Sequence, residues 1–186
     1  GFKAEVGRYH LYVSYACPWA HRALIYRNIL GLEDVIDISV VHPVNMENGW
    51  EFADFPGATP DAINNARYMY QVYTHSEPDY SGKVTVPVLW DRETGRIVSN
   101  ESADIIRTIA DGFKSFASTW QDLLPAEKRD EIDEINEFIY RTINNGVYRS
   151  GFARTQEAYE EAVLPLFETL DQLEEKLAQE TYSEAA

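Results

Sequence analysis

The sequence is poor in cysteine, in basic side chains and in long apolar runs, and each shortage closes off a class of protein. A single cysteine, Cys17, among 186 residues leaves no internal disulfide framework. It fits a reducing compartment, so a cytoplasmic setting is expected. Only 16 Lys and Arg stand against 31 Asp and Glu, a net charge of −15, which would repel nucleic-acid phosphates. No apolar stretch approaches the roughly 20 residues of a membrane-spanning helix, so no membrane partner is expected. The opening Gly1-Phe2-Lys3-Ala4 carries neither an initiator Met nor the apolar core of a signal peptide, which fits an upstream portion absent from this sequence. Nothing in the sequence asks for a metal.

What remains is the composition of a folded protein. Hydrophobic residues make up 45% and aromatics 13%, enough for one large domain or two small ones. The acidity is uneven: from Gln121 onward there are 16 acids and 6 bases, the pattern of solvated faces on acidic helices.

The β-prone alternation of His10 to Ser14 predicts a strand, followed by a helix over Ala20–Leu30 closed by Gly31, then a strand over Val35–Val41. Strand-helix-strand spacing of this kind suits a parallel pair. Residues 42–83 are too long for an ordinary connection and too aromatic for a disordered linker, so an ordered functional insertion is expected. Val84–Trp90 and Arg96–Ser99 read as strands joined by a hairpin turn ending at Gly95, and a helix follows over about Ser102–Ala110. The β-α-β then β-β-α order describes an α/β, thioredoxin-like module over residues 1–112.

Residues from Gly112 to Pro125 read as a linker, and 121–186 as the start of an all-helical domain. Ile132, Ile135, Phe138, Ile139 and Ile143 form one apolar stripe. A second runs through Tyr159, Ala162, Val163, Leu166, Leu170, Leu173 and Leu177, with Thr155 as N-cap and Pro165 as an expected kink. Both stripes are expected to be core.

Cys17 falls between the first strand and the first helix, with Pro18 at the first helical position, where its missing N–H costs nothing. The free N–H groups and dipole of a helix start favour an anion, so a thiolate is favoured there, and His21 and Arg22 one turn on add positive charge. Ala20 stands where a second thiol would complete Cys-x-x-Cys. A mixed disulfide on Cys17 therefore needs an external thiol to resolve it, which points to glutathione.

Two further segments suit a peptide-like thiol. Thr85-Val86-Pro87-Val88 places a proline at the head of a strand; in this fold such a proline is normally cis and exposes the backbone of Val86 to a ligand. An ordinary strand-edge proline is the alternative. Asn100-Glu101-Ser102 precedes a helix, so Ser102 and the helix start can take a carboxylate while Glu101 takes an ammonium. Simple helix capping is the alternative there. Three such sites in order, each at a strand-to-helix junction, are more specific together than apart.

With these segments in view, the chain resembles the glutathionyl-hydroquinone reductases, the xi class of glutathione transferases. The resemblance rests on Cys17-Pro18-Trp19-Ala20-His21-Arg22, Asn48-Gly49-Trp50, Val86-Pro87-Val88-Leu89-Trp90-Asp91, Asn100-Glu101-Ser102-Ala103-Asp104-Ile105, Ile143-Asn144-Asn145-Gly146-Val147-Tyr148 and Gly151-Phe152-Ala153. The omega class shares the Cys-Pro start but usually continues with Phe or Tyr and then Ala-Gln-Arg. The resemblance implies that Cys17 is the nucleophile, that Trp50 lies over glutathione, and that Val86 pairs with its backbone. It further implies that Glu101 and Ser102 hold the γ-glutamyl end, that Tyr148 belongs to an aromatic-substrate pocket, and that the protein is a homodimer. Arg67 is either a partner for a glutathione carboxylate or a surface arginine.

The implied activity removes glutathione from glutathionyl-hydroquinones. A transferase-like helical half normally continues for several helices beyond Leu177, so the α-helical domain is expected to be incomplete here. Two other activities share parts of this pattern: omega-like thiol transfer or dehydroascorbate reduction, and non-catalytic glutathione binding.

Overall fold

The computed structural model describes residues 3–179, which divide into two compact units, the boundary falling between Leu123 and Leu124. The tail 180–186, including the expected end of the helical region, lies outside the described residues.

The first unit contains β1 (Tyr9–Val13), α1 (Pro18–Ile29), β2 (Asp37–Val40), α2 (Met69–Ser76), β3 (Val88–Asp91), β4 (Arg96–Ser99) and α3 (Ser102–Gly112). The four strands form one sheet in the order β2-β1-β3-β4. β1 and β2 are parallel, as the intervening helix requires, whereas β3 runs antiparallel to β1 and pairs with β4 as a hairpin. This is the α/β, thioredoxin-like arrangement expected from the sequence. Every residue of β1 and β3 is buried, so both faces of the sheet are covered.

α1 buries Ala20, Ala23, Leu24 and Arg27, a spacing that keeps one helical face inward. Arg27 keeps its charge satisfied there by donating from Nε to the Ile36 carbonyl at 2.6 Å and from Nη2 to that of Glu33 at 3.0 Å. Gly31 ends the helix at φ 59°, and a Cβ at that position would run into Ser118 Oγ. α3 buries Ile105, Ile106 and Ile109 and packs beside α1.

Two departures from expectation stand out in this unit. The insertion is ordered, as expected, but it also contains α2, which buries Met69, Val72 and Tyr73 and packs near β4. Ahead of α2, the buried carboxylate of Asp61 accepts from the N–H groups of Ile63, Asn64 and Ala66 and from the Tyr12 hydroxyl. One side chain thus organises the loop. The segment read as a linker after Gly112 is instead part of the first unit. Phe113 is fully buried against Tyr9, and the Thr119 hydroxyl donates to the Ile29 carbonyl at 2.6 Å. Aromatic burial overrides the loop-like composition there.

The second unit holds α4 (Arg129–Ile139), a single π-helical turn (Tyr140–Asn144), α5 (Asn145–Gly151) and α6 (Gln156–Gln179). Thr155 caps α6, its Oγ1 accepting from Ala158 N–H at 3.1 Å, and the helix continues as one element through Pro165. α5 and α6 meet at Gly146, where an added Cβ would lie 3.3 Å from Leu166 Cδ1. The two apolar stripes are less buried than expected. No residue of α4 is fully buried, and on α6 only Ala162, Leu166 and Thr169 are, while Leu177 is 54% exposed.

Candidate functional site

The sheet gathers the candidate residues at one end. Val13 and Val40 are the last residues of the parallel strands β1 and β2, so the chain leaves both at the same edge. β3 is antiparallel, with Val88 opposite Tyr12, so the residues just before β3 arrive at that edge. β4 reverses again, and Ser99 lies opposite Leu89. Cys17, Trp50, Val86 and Glu101–Ser102 therefore all follow or precede strand ends on one side of the sheet. The fold makes neighbours of residues as far apart as Cys17 and Val86, 69 positions along the chain.

Cys17 is the N-cap residue of α1, with an extended backbone and Pro18 next to it. Its N–H donates to the Ser14 carbonyl at 3.1 Å, and its carbonyl accepts from His21 N–H at 3.0 Å. The thiol is partly exposed, and Sγ donates to the Val86 carbonyl at 3.3 Å. Val86–Pro87 is a cis peptide bond, and β3 begins only after it, at Val88. The nucleophile candidate and the backbone candidate are thus in direct contact. A sulfur at a helix start, beside an extended backbone segment, can bind and attack a peptide-like thiol derivative.

α3 starts at Ser102, as expected, and the capping left open in the sequence falls to the residue before it. Glu101 is the N-cap, its Oε1 accepting from Ala103 N–H at 3.4 Å, and Ser102 is the first helical residue. Ser102 is 2% exposed, and its Oγ is shielded from solvent with no hydrogen-bond partner among the described residues. Arg22 Nε is likewise shielded and unpartnered. The Arg22 guanidinium lies 5.9 Å from the Trp19 ring centre. Burial disfavours its charge, and the nearby Glu101 carboxylate is the largest influence restoring it. His21 is exposed. An acid, a cation and an unused buried hydroxyl around one helix start can receive a zwitterion, since such a start itself favours a carboxylate.

Trp50 is half-buried against the core of the first unit. Its carbonyl accepts from Met69 N–H at 2.9 Å, and the next carbonyl, of Glu51, accepts from His42 N–H at 2.7 Å just beyond β2. Arg67, left open between two roles, donates from Nε to Glu51 Oε1 at 3.0 Å and is largely exposed. Tyr148 lies on α5 in the second unit, its ring stacked on Phe152 at 6.4 Å. Among the described residues no cluster of three or more His, Cys, Asp or Glu side chains could hold a metal, and no helix is long and apolar enough to cross a membrane.

Sequence reasoning missed Tyr73 and Asn100. The Tyr73 hydroxyl joins Thr85, next to Val86, to Asn100, next to Glu101. Only the spacing of Met69, Val72 and Tyr73 hinted at the helix that presents it.

Comparison with known proteins places these features in a family. The family described as "Glutathione S-transferase, N-terminal domain" matches residues 16–111. The chain is 56% identical over 177 residues to glutathionyl-hydroquinone reductase PcpF of Sphingobium chlorophenolicum, covering 95% of this chain and 56% of that protein. The glutathione-bound structure of YqjG, a glutathione transferase homolog from Escherichia coli K-12, superposes with a TM-score of 0.94 at 55% identity, covering 98% of this chain and 59% of that one. The glutathione transferase Xi of Phanerochaete chrysosporium gives 0.90 at 54% identity, covering 94% of this chain and 60% of that one. The xi-class resemblance read from the motifs is borne out. The chain spans somewhat over half the length of the relatives it matches.

Proposed function

Since the chain belongs to the glutathione S-transferase family, we propose that it carries the glutathione site and nucleophile of a glutathione-dependent reductase that removes glutathione from glutathionyl-hydroquinones. The observation that carries this reading is Cys17 Sγ at the start of α1, 3.3 Å from the Val86 carbonyl, with no second cysteine in the chain.

The Cys17 thiolate attacks the thioether sulfur of the conjugate. The S–S bond forms as the aryl C–S bond breaks, and the ring carbon keeps the electron pair and takes a proton. Tyr148, implied by the resemblance to line the aromatic pocket, supplies that proton or steadies the ring oxygens. A second glutathione thiolate then attacks the mixed disulfide, releasing oxidised glutathione and restoring the Cys17 thiolate. The net exchange is a conjugate plus one glutathione for a hydroquinone plus the disulfide. A hydroxyl nucleophile could not run this cycle, because it forms no disulfide.

Glutathione itself is held, in this reading, by the Val86 backbone, by Glu101 on its ammonium, by Ser102 on its γ-glutamyl carboxylate and by Trp50 across it. The unused Ser102 hydroxyl and the location of all four at one sheet end support these roles. In this reading residues 1–112 bind glutathione, and the helical region from 121 on supplies substrate-pocket groups such as Tyr148. A cytoplasmic setting is supported by the lone free thiol. A homodimer is supported by the family resemblance.

Mass spectrometry after incubation with a glutathionyl-hydroquinone tests the reading. One glutathione adduct is expected on Cys17 and none on the Cys17→Ser variant. Tyr148→Phe is expected to lower turnover of the conjugate tenfold or more while leaving glutathione affinity unchanged. Faster turnover of dehydroascorbate would assign the omega-like activity instead. Glutathione binding with neither adduct nor turnover would leave a binding protein.

A further inference from the structure

The β3–β4 ladder ends at the pair Leu89 and Ser99, with a register irregularity between Leu89 and Trp90. Val86 and Glu101 both lie beyond that last pair, so ladder hydrogen bonds do not set the gap between them. A phenol from the insertion spans it instead. Tyr73, on α2, is 2% exposed. Its hydroxyl donates to the Thr85 carbonyl at 3.0 Å and accepts from Asn100 Nδ2 at 3.1 Å. Thr85 N–H and Oγ1 both lie 3.3 Å from the same oxygen, and Asn100 Nδ2 reaches Thr85 Oγ1 at 3.4 Å. One proton given and two accepted is all that a phenol can do, so the node is saturated.

Thr85 immediately precedes Val86, and Asn100 immediately precedes Glu101. We propose that Tyr73 is a positioning residue that fixes the separation between the Val86 backbone and the Glu101–Ser102 helix start, and through it the insertion sets the affinity for glutathione. This rests on those two segments being glutathione contacts, as proposed above. Tyr73 touches neither ligand nor reacting atoms; it acts through Thr85 and Asn100. A second buried phenol provides an internal comparison. Tyr12 makes the same kind of node, donating to Asp61 at 2.9 Å and accepting from Asn64 Nδ2 at 3.0 Å, but it braces a loop rather than two candidate contacts.

Calorimetric titration of glutathione into the protein and its variants, with steady-state kinetics, tests the assignment. Tyr73→Phe is expected to raise the Kd and the KM for glutathione roughly three- to tenfold, the value of one or two hydrogen bonds, with kcat changed less than twofold. Tyr12→Phe, which removes an equivalent hydroxyl, is expected to move neither constant by as much as twofold. Asn100→Ala alters a solvent-exposed residue, so it keeps the test open if Tyr73→Phe fails to fold. It is expected to weaken binding by itself and to add little on top of Tyr73→Phe. Unchanged glutathione affinity in Tyr73→Phe, or in Asn100→Ala where Tyr73→Phe does not fold, overturns the assignment, as does an equal loss in Tyr12→Phe. Failure of the unaltered protein to bind glutathione would instead overturn the reading of the site itself.

Discussion

Ser102→Ala removes a hydroxyl that is 2% exposed and has no hydrogen-bond partner among the described residues. Burying such a group unpaired costs about 1–3 kcal/mol. In the protein alone the substitution should therefore be neutral or stabilising by up to about 1 kcal/mol, because the lost oxygen made no bond and the small space it leaves offsets part of the gain. With glutathione the sign reverses. A hydrogen bond to a charged group contributes about 1.5–3 kcal/mol, so losing the one to the γ-glutamyl carboxylate should raise the Kd roughly 10- to 150-fold. Urea unfolding without glutathione, paired with titration calorimetry, reads both quantities on one variant. The reasoning is refuted by the opposite pattern: a loss of more than about 1 kcal/mol of stability with glutathione affinity unchanged. That result would make the hydroxyl a structural cap rather than a ligand contact.

Two further outcomes concern the fold. Burial, reinforced by the charge of Arg92, lowers the His10 imidazole from 6.5 to about 4. Between those values the unfolded chain binds a proton that the folded one refuses, so stability should fall as pH drops through that window, by on the order of 3 kcal/mol. Asp91, held down from 3.8 to about 2 chiefly by its hydrogen bond from Arg8, keeps its contribution above about pH 4. It loses it as pH falls toward 2, on the order of 2 kcal/mol more. Urea midpoints measured across this range, with His10→Asn flattening the upper window, check the assignment; midpoints that stay level from pH 6.5 to 4 contradict it. Gly31→Ala should cost about 2–4 kcal/mol, from the left-handed backbone and the collision with Ser118 together. A thermal midpoint equal to that of the parent protein would show that the α1 end relaxes freely.

Where local patterning and tertiary demand agree, the sequence was readable. β4 was expected at Arg96–Ser99 and is found there, because it is short, alternating and bounded by turn residues. Cys17-Pro18 marked a helix start because proline at that position has few other uses. Phe113 defeated the linker reading, since a loop-like stretch becomes core when one aromatic finds a partner such as Tyr9. The apolar stripes of α4 and α6 showed their helical period plainly, yet period alone does not tell how many neighbours will cover a face.

The sequence by itself determined the candidate nucleophile, the absence of a resolving thiol within the chain and the order of three candidate contacts, because each depends on residue type and on one adjacent strand or helix end. Only the tertiary structure decided that these segments meet. Strand direction in the sheet brings Cys17 to Val86, and a phenol from a helix hinted at only by the spacing of three residues spans Thr85 and Asn100. It also decided which of Glu101 and Ser102 caps α3 and which keeps an unused hydroxyl. Spacing along the chain carries no information about such contacts, since they are fixed by packing between elements far apart in sequence.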